Sequence, residues 1–317
     1  MMNNDKKRDL ISIADLSQEE ISGLFAEAAA LKAGKAAGPD RPLAGKTLAM
    51  IFQKPSTRTI VSFSVGMVQL GGHPLVLNYQ ELQMKRGESI ADTARTLSLY
   101  ADAVMVRANR HEDVCELARH ASIPVINGLS DKEHPCQALA DFLAIQEHKK
   151  LKSAAGLRGV KLAYLGDGNN VAHSLILGAA ILGMEIAVSS PKRYEPEKEF
   201  IEKGNALAAK SGGKIIIEPD PEAAVRGADA LYTDVWASMG KEDEREHRKQ
   251  VFGPYQLNAG LLALAKPDAV VMHCLPAHRG EEITDEVLDG PRSIVFPQAA
   301  NRLHVQKAIL LRLLSKN

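Results

Sequence analysis

The sequence predicts an α/β protein of two domains, each a parallel sheet covered by helices, with a C-terminal helix that packs back towards the first domain. Three observations predict it. Short continuous apolar runs of strand length alternate with stretches of helical period along the chain, and strands buried on both faces need crossover helices, the mark of parallel sheets. The alternation breaks once, at a basic, glycine-containing connection near 149–159. The 317 residues leave room for two cores at roughly 150 residues per domain. The boundary is therefore expected near residue 150, giving domains of 1–150 and 151–317, with a last helix over about 301–315.

The first element is a helix, because Ser17 and Glu20 form a capping box and Ile21, Leu24, Phe25, Ala28 and Leu31 recur on one face. After a Gly/Pro-rich loop, KTLAMIF reads as a buried strand, and Pro55 turns the chain into a helical stretch that stops at Gly71-Gly72. PLVLN, AVMVR and PVING follow as strands, each leading into a helix: SIADTARTLSLYA, HEDVCELARHA and HPCQALADFLAIQEHKK. Past the connection, VKLAYLG restarts the alternation with a helix from Asn170 to Gly183. The longest apolar run, Leu175–Met184, falls short of the ~18 residues of a membrane span and reads as a buried helix. EIAVSS, a charged helix, KIIIEP, ALYTDV, AVVMHCL and SIVFPQ continue the pattern, and NRLHVQKAILLRLL closes it as an amphipathic helix.

Composition narrows the function. Lys+Arg and Asp+Glu number 39 each, for a formal net charge of +0, which removes the basic surplus that nucleic-acid or membrane-surface binding would want. Cys115, Cys136 and Cys274 are too few and too dispersed for a disulfide framework or a paired-cysteine zinc site, which fits a reducing, cytoplasmic compartment. The N-terminal MMNNDKKRDLISIADLS has no apolar targeting core. A small-molecule partner is expected.

In open α/β sheets ligands collect where strands end and helices begin, so the strand-to-helix loops carry the candidates. After the first strand, Ser56, Thr57, Arg58 and Thr59 bring three hydroxyls and a guanidinium to a helix start; this pattern serves a phosphate, and it serves equally as a plain capped helix start. Arg107 ends another strand, and His134 with Gln137 opens a later helix. In the second half, GDGNNV places Asn169 and Asn170 at a helix start, with Val171 where a dinucleotide fingerprint needs its third glycine. Asp234 and Ser238 follow ALYT, a carboxylate and hydroxyl able to hold an ammonium, with Trp236 between them as a packing residue. Cys274 and Leu275 end AVVMH; the thiol is open to reading as a nucleophile or as a small buried residue, and spacing favours burial. His273 and His278 lack a carboxylate at metal-site spacing, so no metal is expected.

Together, FQKPSTRT, Arg107, HPCQ, GDGNN, DVWASMG, HCLP and NRLH occur in the order and spacing of the carbamoyltransferase family. STRT and HPxQ resemble the whole family, whereas DxWxSMG and HCLP are similar to its ornithine-specific branch. The resemblance spans nearly the whole chain. It implies carbamoyl transfer from carbamoyl phosphate to the δ-amine of L-ornithine, without cofactor, metal or covalent intermediate. It further implies that Ser56, Thr57, Arg58 and Thr59 bind the phosphate, with Arg107, His134 and Gln137 about the carbamoyl group and Arg302 adding a contact. Thr59, Arg107, His134 and Cys274 would be the catalytic set. Asn169, Asn170 and Met239 would take the ornithine carboxylate, Asp234 and Ser238 its α-ammonium, and Cys274 and Leu275 would lie by the reacting end. Family members are trimers or assemblies of trimers, and Gln83, in LQMKRGES, resembles a residue that reaches a neighbouring subunit's carbamoyl phosphate.

Four positions depart from the family pattern. Ile60 and Ser64 stand where an arginine and a glutamate are usual, an i,i+4 pair whose joint loss leaves no orphan charge, and Pro297 and Ala300 stand where acidic residues are common. Other acceptors fit less well: putrescine and acylated ornithine lack the α-ammonium that Asp234 and Ser238 suit, and aspartate would want cations that the loop lacks before Lys241. A silent binding subunit and a nicotinamide-dependent oxidoreductase are the readings from other classes; the second rests on GDGNNV alone.

Overall fold

The structure is a computed structural model, and it describes residues 7–34, 41–237 and 244–315. It folds as two compact units, one of the residues up to Leu139 with those from Asn301, the other of Ala140–Ala300. The division falls within a helix, whereas the sequence places it near 150, in the connection after that helix.

In the first unit, α1 (Gln18–Lys32) starts at the expected capping box of Ser17 and Glu20 and buries Ile21, Leu24, Phe25, Ala28 and Leu31. The alternation β1 (Thr47–Phe52), α2 (Thr57–Gln69), β2 (His73–Asn78), α3 (Ile90–Leu97), β3 (Ala103–Arg107), α4 (His111–His120), β4 (Val125–Leu129) then leads into α5 (Pro135–His148). The four strands form one parallel sheet in the order β2-β1-β3-β4. One face packs Ala49, Ile51, Val104, Val106 and Val125 against Ala94, Val114 and Leu117 of the covering helices, burial worth about 1.5–3 kcal/mol for each large side chain. Because β1 has β2 on one side and β3 on the other, the crossovers leave in opposite directions there. That switch point lies where Phe52 pairs with Arg107.

The second unit runs β5 (Lys161–Leu165), α6 (Asn170–Leu182), β6 (Glu185–Ser189), α7 (Lys198–Ser211), β7 (Lys214–Ile217), α8 (Pro221–Val225), β8 (Ala230–Thr233), α9 (Arg245–Phe252), α10 (Ala259–Leu264), β9 (Val270–His273), α11 (Asp285–Leu288), and then the first turn of α12 (Val295–Leu314). Its sheet is also parallel, in the order β7-β6-β5-β8-β9. Helix α6 is buried all round from Val171 to Leu182, which accounts for an apolar run without an amphipathic stripe. The switch point here lies between β5 and β8, where Leu165 pairs with Thr233. Among the described residues no helix is long and apolar enough to cross a membrane.

One expected strand is absent. SIVFPQ carries strand-forming residues, yet only Ser293 bridges Val271, and α12 begins at Val295, six residues before the expected start at 301. Gln298 N donates to Ile294 O at 2.8 Å, the first bond of the helix, so Pro297 sits in the first turn, where a missing N–H costs nothing and the fixed φ suits a helix.

Candidate active site

In the first unit, residues 56–59 follow the carboxyl end of β1, Arg107 ends β3, and His134 with Gln137 follow the carboxyl end of β4. Ser56 is extended and caps α2: its Oγ accepts from Thr59 N at 3.3 Å and donates to Thr59 Oγ1 at 3.0 Å. The capped-start reading of STRT thus holds for Ser56, while Thr57 is exposed, Arg58 half-buried and Thr59 buried. Arg302, buried on α12, donates to Gln137 Oε1 and, at 3.2 Å, to Thr59 Oγ1. One guanidinium therefore ties the first turn of α2 to the first turn of α5.

Arg107 is buried at the end of β3, where the pairing register with β4 slips between Val106 and Arg107. His134 precedes α5, and its carbonyl accepts from Gln137 N and Ala138 N. Burial first, then the guanidinium groups of Arg302, Arg107 and Arg58, push the His134 pKa well below the ordinary histidine range. The imidazole is neutral, and it registers a cationic field from three arginines. A field of that sign beside a helix N-terminus suits a phosphorylated anion. Next to it, Cys136 is buried, and burial pushes its thiol up to about 12, which makes it inert packing.

In the second unit, Asn169 caps α6: its Oδ1 accepts from Val171 N at 2.9 Å and Ala172 N at 3.3 Å, and its Nδ2 donates to Asp234 Oδ2 at 2.8 Å. The capping and the site-lining readings of Asn169 are thus both realised, by different ends of one amide. Asn170 is the first residue of α6. Cys274 is half-buried rather than buried, contrary to the sequence expectation, because its thiol turns to Asp234 Oδ1 at 3.0 Å. Gly168, second glycine of the weak dinucleotide pattern, is explained by packing, since a Cβ there would lie 2.1 Å from Pro196 N.

The turn after β9 is held from below. Leu275 has φ 58°, a left-handed conformation costing about 1–3 kcal/mol for a non-glycine residue. Its N–H donates to His273 Nδ1 at 2.8 Å, so the His273 proton is on Nε2, which donates to Glu282 Oε1 at 3.0 Å. Glu282 also lies 3.9 Å from His278 Nδ1. The expectation that these histidines lack a carboxylate at metal-site spacing fails for His278, which has Glu282 four residues on; from His273, Glu282 is nine residues on, a separation no metal-motif spacing would flag. Possible ligand atoms of Asp234, His273 and Cys274 lie within 4.8 Å of one another, but both His273 ring nitrogens are already hydrogen-bonded, and a cation would have to displace one of those bonds.

The structure thus joins Ser56, Thr59, Gln137 and Arg302 by hydrogen bonds, sets Arg58, Arg107 and His134 in the same field, and separately joins Asn169, Asp234 and Cys274. Gln83 opens an exposed 3-10 turn, Gln83–Arg86, and is not among them. Ser238 and Met239 lie outside the described residues. Sequence reasoning missed Glu282, and it missed a buried set in which Gln298 Nε2 donates to Asp141 Oδ1 at 2.7 Å, Tyr232 donates to Asp141 Oδ2 at 3.0 Å, and His273 N donates to Gln298 Oε1 at 3.1 Å. The available signal was Asp141 itself, a carboxylate inside the apolar helix ALADFLAI.

Comparison with known proteins gives this geometry a family. Residues 8–147 match the carbamoyl-P binding domain of aspartate/ornithine carbamoyltransferase, and residues 158–313 match its Asp/Orn binding domain. The chain belongs to the aspartate/ornithine carbamoyltransferase family. An ornithine carbamoyltransferase of Anoxybacillus flavithermus is 56% identical over 310 residues, 98% of this chain and 97% of that protein. One of Pyrococcus furiosus, named anabolic, is 55% identical over 304 residues, 96% of this chain and 95% of that protein. The solved structure of the Pyrococcus furiosus ornithine carbamoyltransferase aligns with a TM-score of 0.92 at 54% identity, covering 98% of this chain and 97% of that one. That of Gloeobacter violaceus aligns with a TM-score of 0.87 at 46% identity, covering 98% and 99%. The two-sheet carbamoyltransferase architecture expected from the sequence is the observed one.

Proposed function

We infer that this chain transfers the carbamoyl group of carbamoyl phosphate to the δ-amine of L-ornithine, giving L-citrulline and phosphate. The observation that carries the reading is the pairing of chemistries at the two switch points: arginines about a neutral imidazole in the first unit, and a carboxylate flanked by amide and thiol in the second. Relatives more than half identical over nearly their whole length, each named an ornithine carbamoyltransferase, support it.

Carbamoyl phosphate is an activated donor, so the protein needs alignment and charge stabilisation rather than a covalent intermediate or a metal. Ser56, Thr57, Arg58 and Thr59 hold the phosphate, with Arg302 bracing Thr59 and Gln137. Thr59, Arg107 and His134 donate to the carbonyl oxygen as the neutral δ-amine attacks. The new C–N bond forms, the C–O bond to phosphate breaks, and phosphate leaves with the electron pair and takes up the proton that the nitrogen loses. Asp234 and Ser238 receive the α-ammonium, Asn169, Asn170 and the Met239 backbone the carboxylate, and Cys274 and Leu275 flank the reacting end. The absence of a metal or cofactor requirement is part of the proposal, as is a cytoplasmic location.

The working form is a homo-oligomer, as a trimer or an assembly of trimers. Val61, Val65 and Val68 recur along one face of α2 and are 53%, 37% and 62% exposed, and Leu75 and Val76 on the edge strand β2 are also exposed, an apolar surface that favours a second copy. Gln83 would then reach the neighbour's carbamoyl phosphate.

The test is carbamoyl phosphate supplied with ornithine, putrescine, acetylornithine or aspartate, scored for each carbamoylated product. Turnover confined to ornithine is expected. Turnover with another amine would overturn the acceptor assignment and keep the donor site; silence with all four would overturn the enzymatic reading.

A further inference from the structure

Arg248 is a cation in the second unit that the carbamoyl-transfer reading does not use. It stands on α9 and is 2% exposed. Its Nη1 donates to Asp167 Oδ2 at 3.0 Å and to the Trp236 carbonyl at 2.6 Å, and its Nε donates to Glu244 Oε2 at 2.8 Å. The guanidinium carbon lies 4.7 Å from the centroid of the Tyr194 ring. Burial acts to lower its pKa, and the Glu244 and Asp167 carboxylates overcome that, so the net direction is upward and the group stays charged.

The two main partners matter for where they sit. Asp167 belongs to the turn after β5, two residues before Asn169, and its carbonyl accepts from Asn169 N at 2.7 Å. Trp236 lies two residues after Asp234, is buried, and stacks on Phe252 of α9 with ring centroids 5.9 Å apart. Asn169 and Asp234 are themselves joined at 2.8 Å. One guanidinium thus fastens, from behind, the two loops whose front groups meet. Both links come from one nitrogen, Nη1, while Nε holds Glu244 from the same rigid plane, so an ammonium could keep part of the clamp but not its fixed geometry.

We propose that Arg248 is a positioning residue for the acceptor amino acid, clamping the Asp167 turn to the Trp236 backbone so that Asn169 and Asp234 meet the α-carboxylate and α-ammonium in register. This rests on the acceptor assignment made above, and it touches neither the donor site nor the reacting atoms. Loss of the clamp therefore raises the KM for ornithine and leaves the KM for carbamoyl phosphate unchanged.

The experiment compares Arg248→Gln, Arg248→Lys and Asp167→Asn with the parent protein, using kinetics and the fluorescence of Trp236, the one tryptophan in the chain. Losing a charge-assisted bond should raise the ornithine KM roughly tenfold or more in Arg248→Gln, with kcat and the carbamoyl phosphate KM within about threefold. Arg248→Lys should fall between the parent and Arg248→Gln. Trp236 emission should shift to the red and become more open to acrylamide in the free protein. If Arg248→Gln does not fold, Asp167→Asn cuts the same link from the other side and must raise the ornithine KM alone. Equal losses for both substrates, or an unchanged ornithine KM, overturn the proposal. A parent protein that carbamoylates no ornithine overturns the acceptor reading instead; the clamp is then judged by fluorescence alone, and unshifted Trp236 emission in both variants refutes it.

Discussion

Arg302→Met is the most informative substitution in the donor half. Methionine keeps the stem volume and removes the guanidinium that donates to Gln137 and Thr59. Two bonds from a charged group at about 1.5–3 kcal/mol each are lost, but a buried cation is also relieved of its desolvation, so the net loss of folding stability should stay near ~2 kcal/mol. Binding should suffer more, because the guanidinium braces the Thr59 hydroxyl to which the proposed mechanism gives the phosphate. A loss of about 2–3 kcal/mol there raises the carbamoyl phosphate KM roughly 30- to 150-fold. The same substitution removes the largest of the charge contributions that, after burial, keep the His134 pKa low. That pKa should therefore rise, and the acid limb of kcat/KM should move to higher pH. The assay is initial-rate citrulline formation across pH, varying carbamoyl phosphate at saturating ornithine, with the ornithine KM as internal control and urea unfolding for stability. A carbamoyl phosphate KM within threefold of the parent, or an acid limb that stays put or moves down, would refute this account of Arg302.

Three further outcomes are expected. His134 is neutral when folded and takes up a proton near pH 6.5 when unfolded, so stability is undiminished above that pH and falls below it by at most about 1.4 kcal/mol per pH unit; urea unfolding between pH 7 and 5 should show His134→Asn with a slope flatter by one proton, and parallel slopes would contradict the burial of a neutral imidazole. Restoring the usual pair with Ile60→Arg and Ser64→Glu, both half-buried positions on α2, should change carbamoyl phosphate affinity by less than about tenfold, as an i,i+4 pair contributes only ~0.2–0.5 kcal/mol, and a larger gain measured by KM would give the pair a role in binding. Val65→Lys on the exposed α2 face should shift sedimentation towards the monomer and depress activity with it, whereas a fully active dilute monomer would sink the shared-site role of Gln83.

Legibility in the sequence followed how local the signal was. β1 and β3 were readable because strands buried on both faces leave continuous apolar runs, and α1 because a capping box announces its first turn. The start of α12 was not readable: Ser293 to Phe296 has strand composition, and only the single bridge to Val271 and the place of Pro297 in a first turn decide for helix. Ser56, Thr59, Arg107 and Asn169 were findable since each ends a strand or opens a helix. The partners of Glu282, Asp141 and Arg248, namely His273, Tyr232 and Asp167, were not, because each lies across a sequence distance that follows no period; Asp141 stood out only as a carboxylate in an apolar helix.

The two strand orders explain why the chemistry divides as it does. A parallel sheet offers a cleft only where successive crossovers diverge, and each sheet here has one such place, between β1 and β3 and between β5 and β8. At the first, the groups that the structure supplies are arginines and helix N–H donors, which repel any ammonium; burial, and after it the arginines, keep His134 deprotonated. At the second, Asp234 receives Asn169 and Cys274, an acceptor surface that would reject a phosphate dianion. On the proposed assignment each switch point selects its substrate by charge, and exchanging the sign at either one, by Arg107→Glu or Asp234→Lys, should abolish binding of that substrate while sparing the other, which equilibrium titration of each substrate alone would read.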